Sequence, residues 1–286
     1  MEVLYAGTGL MATVSGNIRG DCLSIGMAIA LLSTDFDGTL IGHEPDARTA
    51  VSLAEALTAL RQQGAAWAVN TGRQLWFALE GLENARLPHD PEFVLSSEKD
   101  IFRRLEEGSW EAFGDWNAQM EAQTLDLFGR AGGVLEAIER MAKEEEGVEM
   151  LYENSRMAGL LTADEVTMDR AESAIKELSA VVPEFSYNRN DVWMRFAHRE
   201  IHKGSSLAQL ARLLGVPREE VLAIGDHHND ISMLDGSAAA MVACPANAAE
   251  RVKVVVAQAG GYISPYRWGE GVADAIRHFS GSRPVA

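Results

Sequence analysis

Two carboxylates, Asp35 and Asp37, stand one residue apart in ALLSTDFDGTL (30–40), directly after an apolar run and just before Gly38 and Thr39. Acids this close repel each other, so a positive partner is expected between them. Other apolar runs also end in polar residues: Thr71 and Gly72 in AVNTGR, then Asp226, Asn229 and Asp230 in AIGDHHND, while Lys203 opens KGSSL. Carboxylates, one lysine, one hydroxyl and a glycine turn suit an oxyanion bound together with a hard cation. Mg2+ takes oxygen ligands and binds through one or two carboxylates plus a substrate phosphate, which makes Asp35 and Asp226 natural ligands. A carboxylate beside that phosphate can attack phosphorus. A second acid two residues on can protonate the leaving oxygen and later activate water. Lysine and hydroxyl then hold the phosphoryl oxygens as charge develops.

These residues need elements that bring them together. MAIALLSTD, AAWAVNTGR, PEFVLSS, EEVLAIGD and AAAMVAC are apolar runs closing in polar residues, as expected of strands buried on both faces of a parallel sheet. DARTAVSLAEALTALRQQG has Val51, Leu53, Ala54, Leu57 and Leu60 near helical spacing and Gly64 as a stop. QLWFALEGLENA and HKGSSLAQLARLLGV read as helices, and DISMLDGS starts another. Strands alternating with helices predict an α/β doubly wound sheet, and ligands bind such sheets beyond the carboxyl ends of the strands. The polar residues above occupy those ends.

Between residues 113 and 197 the texture changes. Two acidic amphipathic helices, in AGGVLEAIERMAKEEEG and DEVTMDRAESAIKELSA, alternate with the strand-like runs VEMLYEN, MAGLLTA, EFSYNRN and DVWMRFA. This predicts a small α+β unit inserted into a core made of 27–112 and 198–286. The run Lys143 to Glu146 reads as a solvated helix end. Residues 1–26 show no clean period and read as a loosely attached extension, or as a leader ahead of a start at Met27.

The 286 residues are enough for one large or two modest domains. Lys and Arg number 25 against 42 Asp and Glu, a formal net charge of −17. Such acidity argues against nucleic acid or an anionic membrane as partner. Two cysteines, Cys22 and Cys244, leave a disulfide open but suit a reducing compartment. No run approaches the ~20 apolar residues of a membrane-spanning helix, and Glu2 precedes any basic residue, unlike a secretory signal. A cytoplasmic protein is expected.

DFDGTL, NTGR, HKGSSL and GDHHND resemble, in order, the four motifs of the haloacid dehalogenase superfamily of phosphohydrolases. The resemblance runs over nearly the whole chain from Met27. The long insertion between the second and third motifs resembles the C2-type cap of the Cof-like and sucrose-phosphate-phosphatase-like branch. By position, the resemblance implies that Asp35 is nucleophile and Mg2+ ligand, and that Asp37 is general acid/base and holds the metal through its backbone carbonyl. It further implies that Thr71 and the Gly72 amide bind the phosphoryl group and that Lys203 neutralises nucleophile and phosphate. Asp226 would complete the metal ligands with Asp230 behind it, and Asn229 would lie near the phosphate. The branch commonly carries an Asn-Gly pair after the third strand, where this chain has LSSEKDIF, so substrate detail does not transfer.

Other residues keep two readings. Arg73 either touches substrate or pairs with an acid. His227 and His228 are adjacent, so their side chains diverge and spacer roles are expected, and Cys244-Pro245 reads as packing and a turn. In NDVWMRFA, alternation puts Val192, Met194 and Phe196 on one face and Trp193 and Arg195 on the other. Trp193 and Arg195 would recognise a sugar ring or a second anion, or Arg195 would simply lie over a half-buried Trp193. The expected activity is a Mg2+-dependent phosphomonoesterase acting on a small soluble ester, a sugar phosphate being one candidate. A phosphomutase and a non-catalytic sugar-phosphate-binding regulator are the alternatives.

Overall fold

Leu31 and Leu32 are neighbours in the chain, both fully buried, yet they belong to different cores. A strand sends successive side chains to opposite faces, so this one must be covered on both. The computed structural model describes residues 29–42, 47–87, 89–153 and 155–281. The expectations for residues 1–26, Met27 and Cys22 lie outside them.

The chain first lays down β1 (Leu31–Thr34), α1 (Ala47–Gln62), β2 (Ala66–Asn70), α2 (Leu75–Ala85), β3 (Phe93–Ser96), β4 (Asp100–Arg104) and β5 (Trp110–Ala112). It leaves for α3 (Trp116–Arg130), α4 (Gly132–Glu144), β6 (Val148–Glu153), β7 (Arg156–Thr162), α5 (Glu165–Ser179), β8 (Phe185–Asn190) and β9 (Trp193–His198). It returns through α6 (Lys203–Leu214), β10 (Val221–Ile224), α7 (Ile231–Leu234), β11 (Met241–Cys244), α8 (Glu250–Gln258), β12 (Tyr262–Ile263) and α9 (Trp268–Phe279).

The large sheet has the order β12-β11-β10-β1-β2-β3-β4-β5, parallel from β12 to β3 and antiparallel beyond. Leu53, Leu57 and Leu60 of α1, Leu82 of α2 and Ile276 of α9 close one face. Leu207 and Leu210 of α6, Leu234 of α7 and Val252 of α8 close the other. This is the doubly wound sheet the alternation predicts. Val51, expected on the buried stripe of α1, instead points to solvent. The helix begun by DISMLDGS is a single turn, because Gly236 adopts φ +87° just after it.

The inserted sheet, β6-β7-β9-β8, is antiparallel throughout. One face packs against α3, α4 and α5 through Leu127, Ile138, Leu160, Ile175 and Phe196. The other faces a cavity above the large sheet. Lys143, Glu144 and Glu146 are exposed, as expected of a solvated helix end. Among the described residues no helix is long and apolar enough to cross a membrane.

Candidate active site

In the large sheet β1 lies between β10 and β2, so the loops after these three strands meet. Asp35 and Thr71 follow β1 and β2 directly, and Asp226 follows β10 after Gly225. Lys203 opens α6, and its carbonyl accepts a hydrogen bond from Asn70 Nδ2 at 3.0 Å, which ties the helix start to the end of β2. Its side chain is fully buried, with Nζ 2.6 Å from Asp35 Oδ1 and 2.6 Å from Asp230 Oδ1. Asp230 Oδ2 accepts the backbone N–H groups of Asp226 at 2.8 Å and His227 at 2.9 Å. Asp226 Oδ1 accepts the Thr39 hydroxyl at 2.8 Å. Gly38 of the first motif has φ +79°, and a Cβ there would sit 2.4 Å from Asp226 Oδ2, so only glycine lets the two loops approach.

One oxygen from each of Asp35, Asp226 and Asp230 lies within 4.8 Å of the others. Lys203 brings one positive charge to three acids. Its pKa is raised: burial opposes the charge, but Asp230 and Asp35 outweigh it, so it is charged. Negative charge remains in surplus. Burial first, then the neighbouring acids, push the Asp226 carboxyl up to about 7. Burial likewise raises Asp35, against the pull of Lys203. An all-oxygen set that resists ionising without a further cation fits Mg2+. Asp35 and Asp226 have oxygens free of strong donors for it. Asp230, expected behind the metal ligands, spends both oxygens on Lys203 and two backbone amides.

Asp37 and Arg73 pair through two contacts, Nε–Oδ2 at 2.7 Å and Nη2–Oδ1 at 2.5 Å. Of the two readings for Arg73, the structure takes the acid pair, with the guanidinium packed over Phe36 and Phe77 at 4.9 and 4.3 Å. Thr71 Oγ1 accepts the Arg73 N–H at 3.1 Å, and Thr71 and Gly72 line the cavity beside Asp35. Arg195 and Trp193 alternate outward from the cap core onto the opposite wall, as the pattern predicts, while Met194 and Phe196 are buried. Trp193 is 53% exposed, so its ring is about half buried and presents the rest to the cavity. Arg195 is already bound to Glu153 and is not free for a second anion. His227 Nε2 is 3.0 Å from Asp191 Oδ1 of the cap, a contact rather than a spacer role. The cavity is about 650 Å³, with a floor of charged core residues and a roof formed by the cap.

Sequence reasoning missed Glu98 and Asn247. Asn247 Nδ2 donates to the Gly38 carbonyl at 2.8 Å and holds the first motif's turn. Glu98 is buried, lines the floor, and accepts Asn229 Nδ2 on Oε1 at 2.7 Å, while Oε2 has no partner. Burial raises its pKa, against Lys203. It sits in the β3–β4 turn, where Ser97 and Glu98 have φ +54° and +58°. Left-handed backbone costs a non-glycine roughly 1–2 kcal/mol, and turns of this kind favour Asn-Gly. SEKD in place of such a pair was the available signal.

A profile of the haloacid dehalogenase-like hydrolase family matches residues 136–276, which include HKGSSL and GDHHND. That match covers just under half of the chain. The chain's relatives include a glucosylglycerol-phosphate synthase of Pseudomonas anguilliseptica, 31% identical over 72% of this chain and 25% of that protein. A phosphoglycolate phosphatase of Methanothermobacter thermautotrophicus is 27% identical over 46% of this chain and 54% of its own length. The chain thus spans about a quarter of the first relative and about half of the second. Among solved structures, the sucrose-phosphatase of Synechocystis sp. PCC6803 superposes with a TM-score of 0.66 at 20% identity, over 88% of this chain and 98% of that one. A haloacid dehalogenase-like hydrolase from Bacteroides thetaiotaomicron gives 0.60 at 22% identity, over 87% and 99%. These share the fold, core and cap together.

Proposed function

We propose that the protein is a Mg2+-dependent phosphomonoesterase acting on a small soluble phosphate ester through a phospho-Asp35 intermediate. The observation that carries this is the Asp35–Lys203–Asp230 network beside Asp226 at the base of a cavity. The match to the hydrolase family profile and relatives named as phosphatases support the reading. Mg2+ held by Asp35, Asp226 and the Asp37 carbonyl would neutralise the surplus acid charge and the phosphoryl oxygens.

The chain's own residues supply the rest. Lys203, donating to Asp35 Oδ1, holds the Asp35 carboxylate in place to attack phosphorus in line as the ester bond breaks. Thr71 and the Gly72 amide hold phosphoryl oxygens, with Asn229 at the edge. Asp37 gives its proton to the departing alkoxide, then takes one from the water that cleaves phospho-Asp35 and releases phosphate. Cap and core closing together exclude bulk water and polymers. The exposed Trp193 on the cap wall supports a sugar phosphate as substrate.

Phosphate release from an aryl phosphate, with Mg2+ and with chelator, tests this in wild type and Asp35→Asn. Metal-dependent turnover reduced at least about a thousandfold by the substitution is expected. Turnover that survives Asp35→Asn would overturn the mechanism.

A further inference from the structure

Arg73 and Arg195 are the cationic side chains on the cavity wall among the described residues. Neither is free. Arg73 is paired with Asp37. Arg195 gives Nη1 to Glu153 Oε2 at 2.9 Å and Nη2 to Glu153 Oε1 at 2.7 Å. A guanidinium engaged on both prongs has used the geometry with which it would grip another carboxylate or phosphate.

The pair is built in from three directions. Glu153 ends β6 and Arg195 lies on β9, with β7 between their strands. From the core, Gln74 Nε2 donates to Glu153 Oε1 at 2.5 Å, and Gln74 Oε1 accepts the Trp76 indole N–H at 2.8 Å. Burial raises the Glu153 pKa, but Arg195 and the Gln74 amide outweigh it, and the carboxyl is held below its ordinary range. Glu153 is therefore ionised at neutral pH, and the pair is closed.

The rest of the upper wall carries no charge to spare. Asn188 and Asn190 present neutral amides, and the Trp76, Tyr152 and Trp193 rings are exposed. Aromatic faces and amides suit a hydroxylated, uncharged body. A second anion would meet Glu153 and Glu98 with no unpaired cation to receive it.

We propose that Glu153, by occupying Arg195, makes this pocket select phosphate monoesters whose leaving group is uncharged and turn away those whose leaving group carries a second anion, a carboxylate or a further phosphate. The inference rests on the phosphomonoesterase reading but names a specificity device of its own. Opening the pair would free Arg195 and reverse the selection.

Binding reads this without depending on turnover. In an Asp35→Asn background with Mg2+, calorimetric titration compares hexose 6-phosphate, with an uncharged body, against phosphoglycolate, with a carboxylate. The hexose phosphate is expected to bind at least about tenfold tighter. Adding Glu153→Gln, which keeps the shape and the acceptor for Gln74, shifts the affinity ratio at least about tenfold toward phosphoglycolate. Further addition of Arg195→Met abolishes that shift. A ratio unmoved by Glu153→Gln, phosphoglycolate bound as tightly as hexose phosphate at the start, or no binding of either overturns the proposal. Wild-type turnover of an aryl phosphate is scored separately. Its absence would strike the hydrolase reading while the binding ratio still decides the role of Glu153.

Discussion

On the floor of the cavity the buried Lys203 is bound to the buried Asp35 and Asp230 at 2.6 Å each, whereas on the roof Trp193 and Tyr152 are each 53% exposed. The floor grows from the ends of parallel strands inside a sheet covered on both faces. The roof is the open face of an antiparallel sheet whose other face holds the cap core. Buried charges have one low-energy arrangement, because any other leaves one unpaired in a poor dielectric. Exposed rings and amides are free to suit a ligand. The difference separates reaction from recognition: the floor fits any phosphoryl group, and the roof decides what it is attached to.

The sharpest way to break this division is at Asp37. Asp37→Asn removes the proton carrier and should lower kcat about 10²–10⁴-fold on an alkyl phosphate. An aryl ester, whose leaving group needs no proton, should suffer less in its first step. Equal losses in the burst phase for both esters would show that Asp37 does not protonate the leaving group.

Next comes the charge lock. Lys203→Met leaves Asp35 and Asp230 buried without their cation and should cost about 3–5 kcal/mol of unfolding free energy near pH 7, read by urea denaturation. A loss of only a few tenths would mean that the floor is not held by charge.

A smaller effect is linked to pH. Asp226, raised from 3.8 to about 7, binds its proton more tightly folded than unfolded. Its contribution is favourable at low pH and is lost as pH rises through that window. Chelator-treated protein should therefore lose thermal stability from about pH 4 to about pH 7, more steeply than Asp226→Asn does. Mg2+ at a hundredfold its Kd should restore about 2.7 kcal/mol at the upper end. Parallel pH profiles for the two proteins would refute the link.

The smallest effect belongs to the roof. Trp193→Ala should raise KM for a sugar phosphate about three- to tenfold, leave kcat within about twofold, and change stability by less than about 0.5 kcal/mol. A fall in kcat with KM unchanged would put Trp193 in the reaction and erase the contrast between the two walls.

How much was legible follows the same line. Strands β1, β2, β3, β10 and β11 could be read because burial on both faces leaves continuous apolar runs, and their polar ends named Asp35, Thr71 and Asp226. Strand β4 and the edge strand β5 were not read, since DIFRR and WEA carry no period of their own and are strands only because β3 offers an edge to β4 and β4 one to β5. Helices α3, α8 and α9 were passed over as well. The Trp193/Arg195 alternation was legible locally, but the capture of Arg195 by a residue 42 positions away was not.

By itself the sequence determined the doubly wound core, the inserted α+β cap and the residues that converge beyond the strand ends, because hydrophobic period and strand-end polarity are local and survive in the linear order. Only the tertiary structure decided that Asp230 supports Lys203, that Arg73 holds Asp37, that Glu98 enters the floor on a strained turn and that Glu153 closes Arg195. Each of these is a choice of partner among several charges of similar type. That choice is made by distance and burial, which a linear order does not contain.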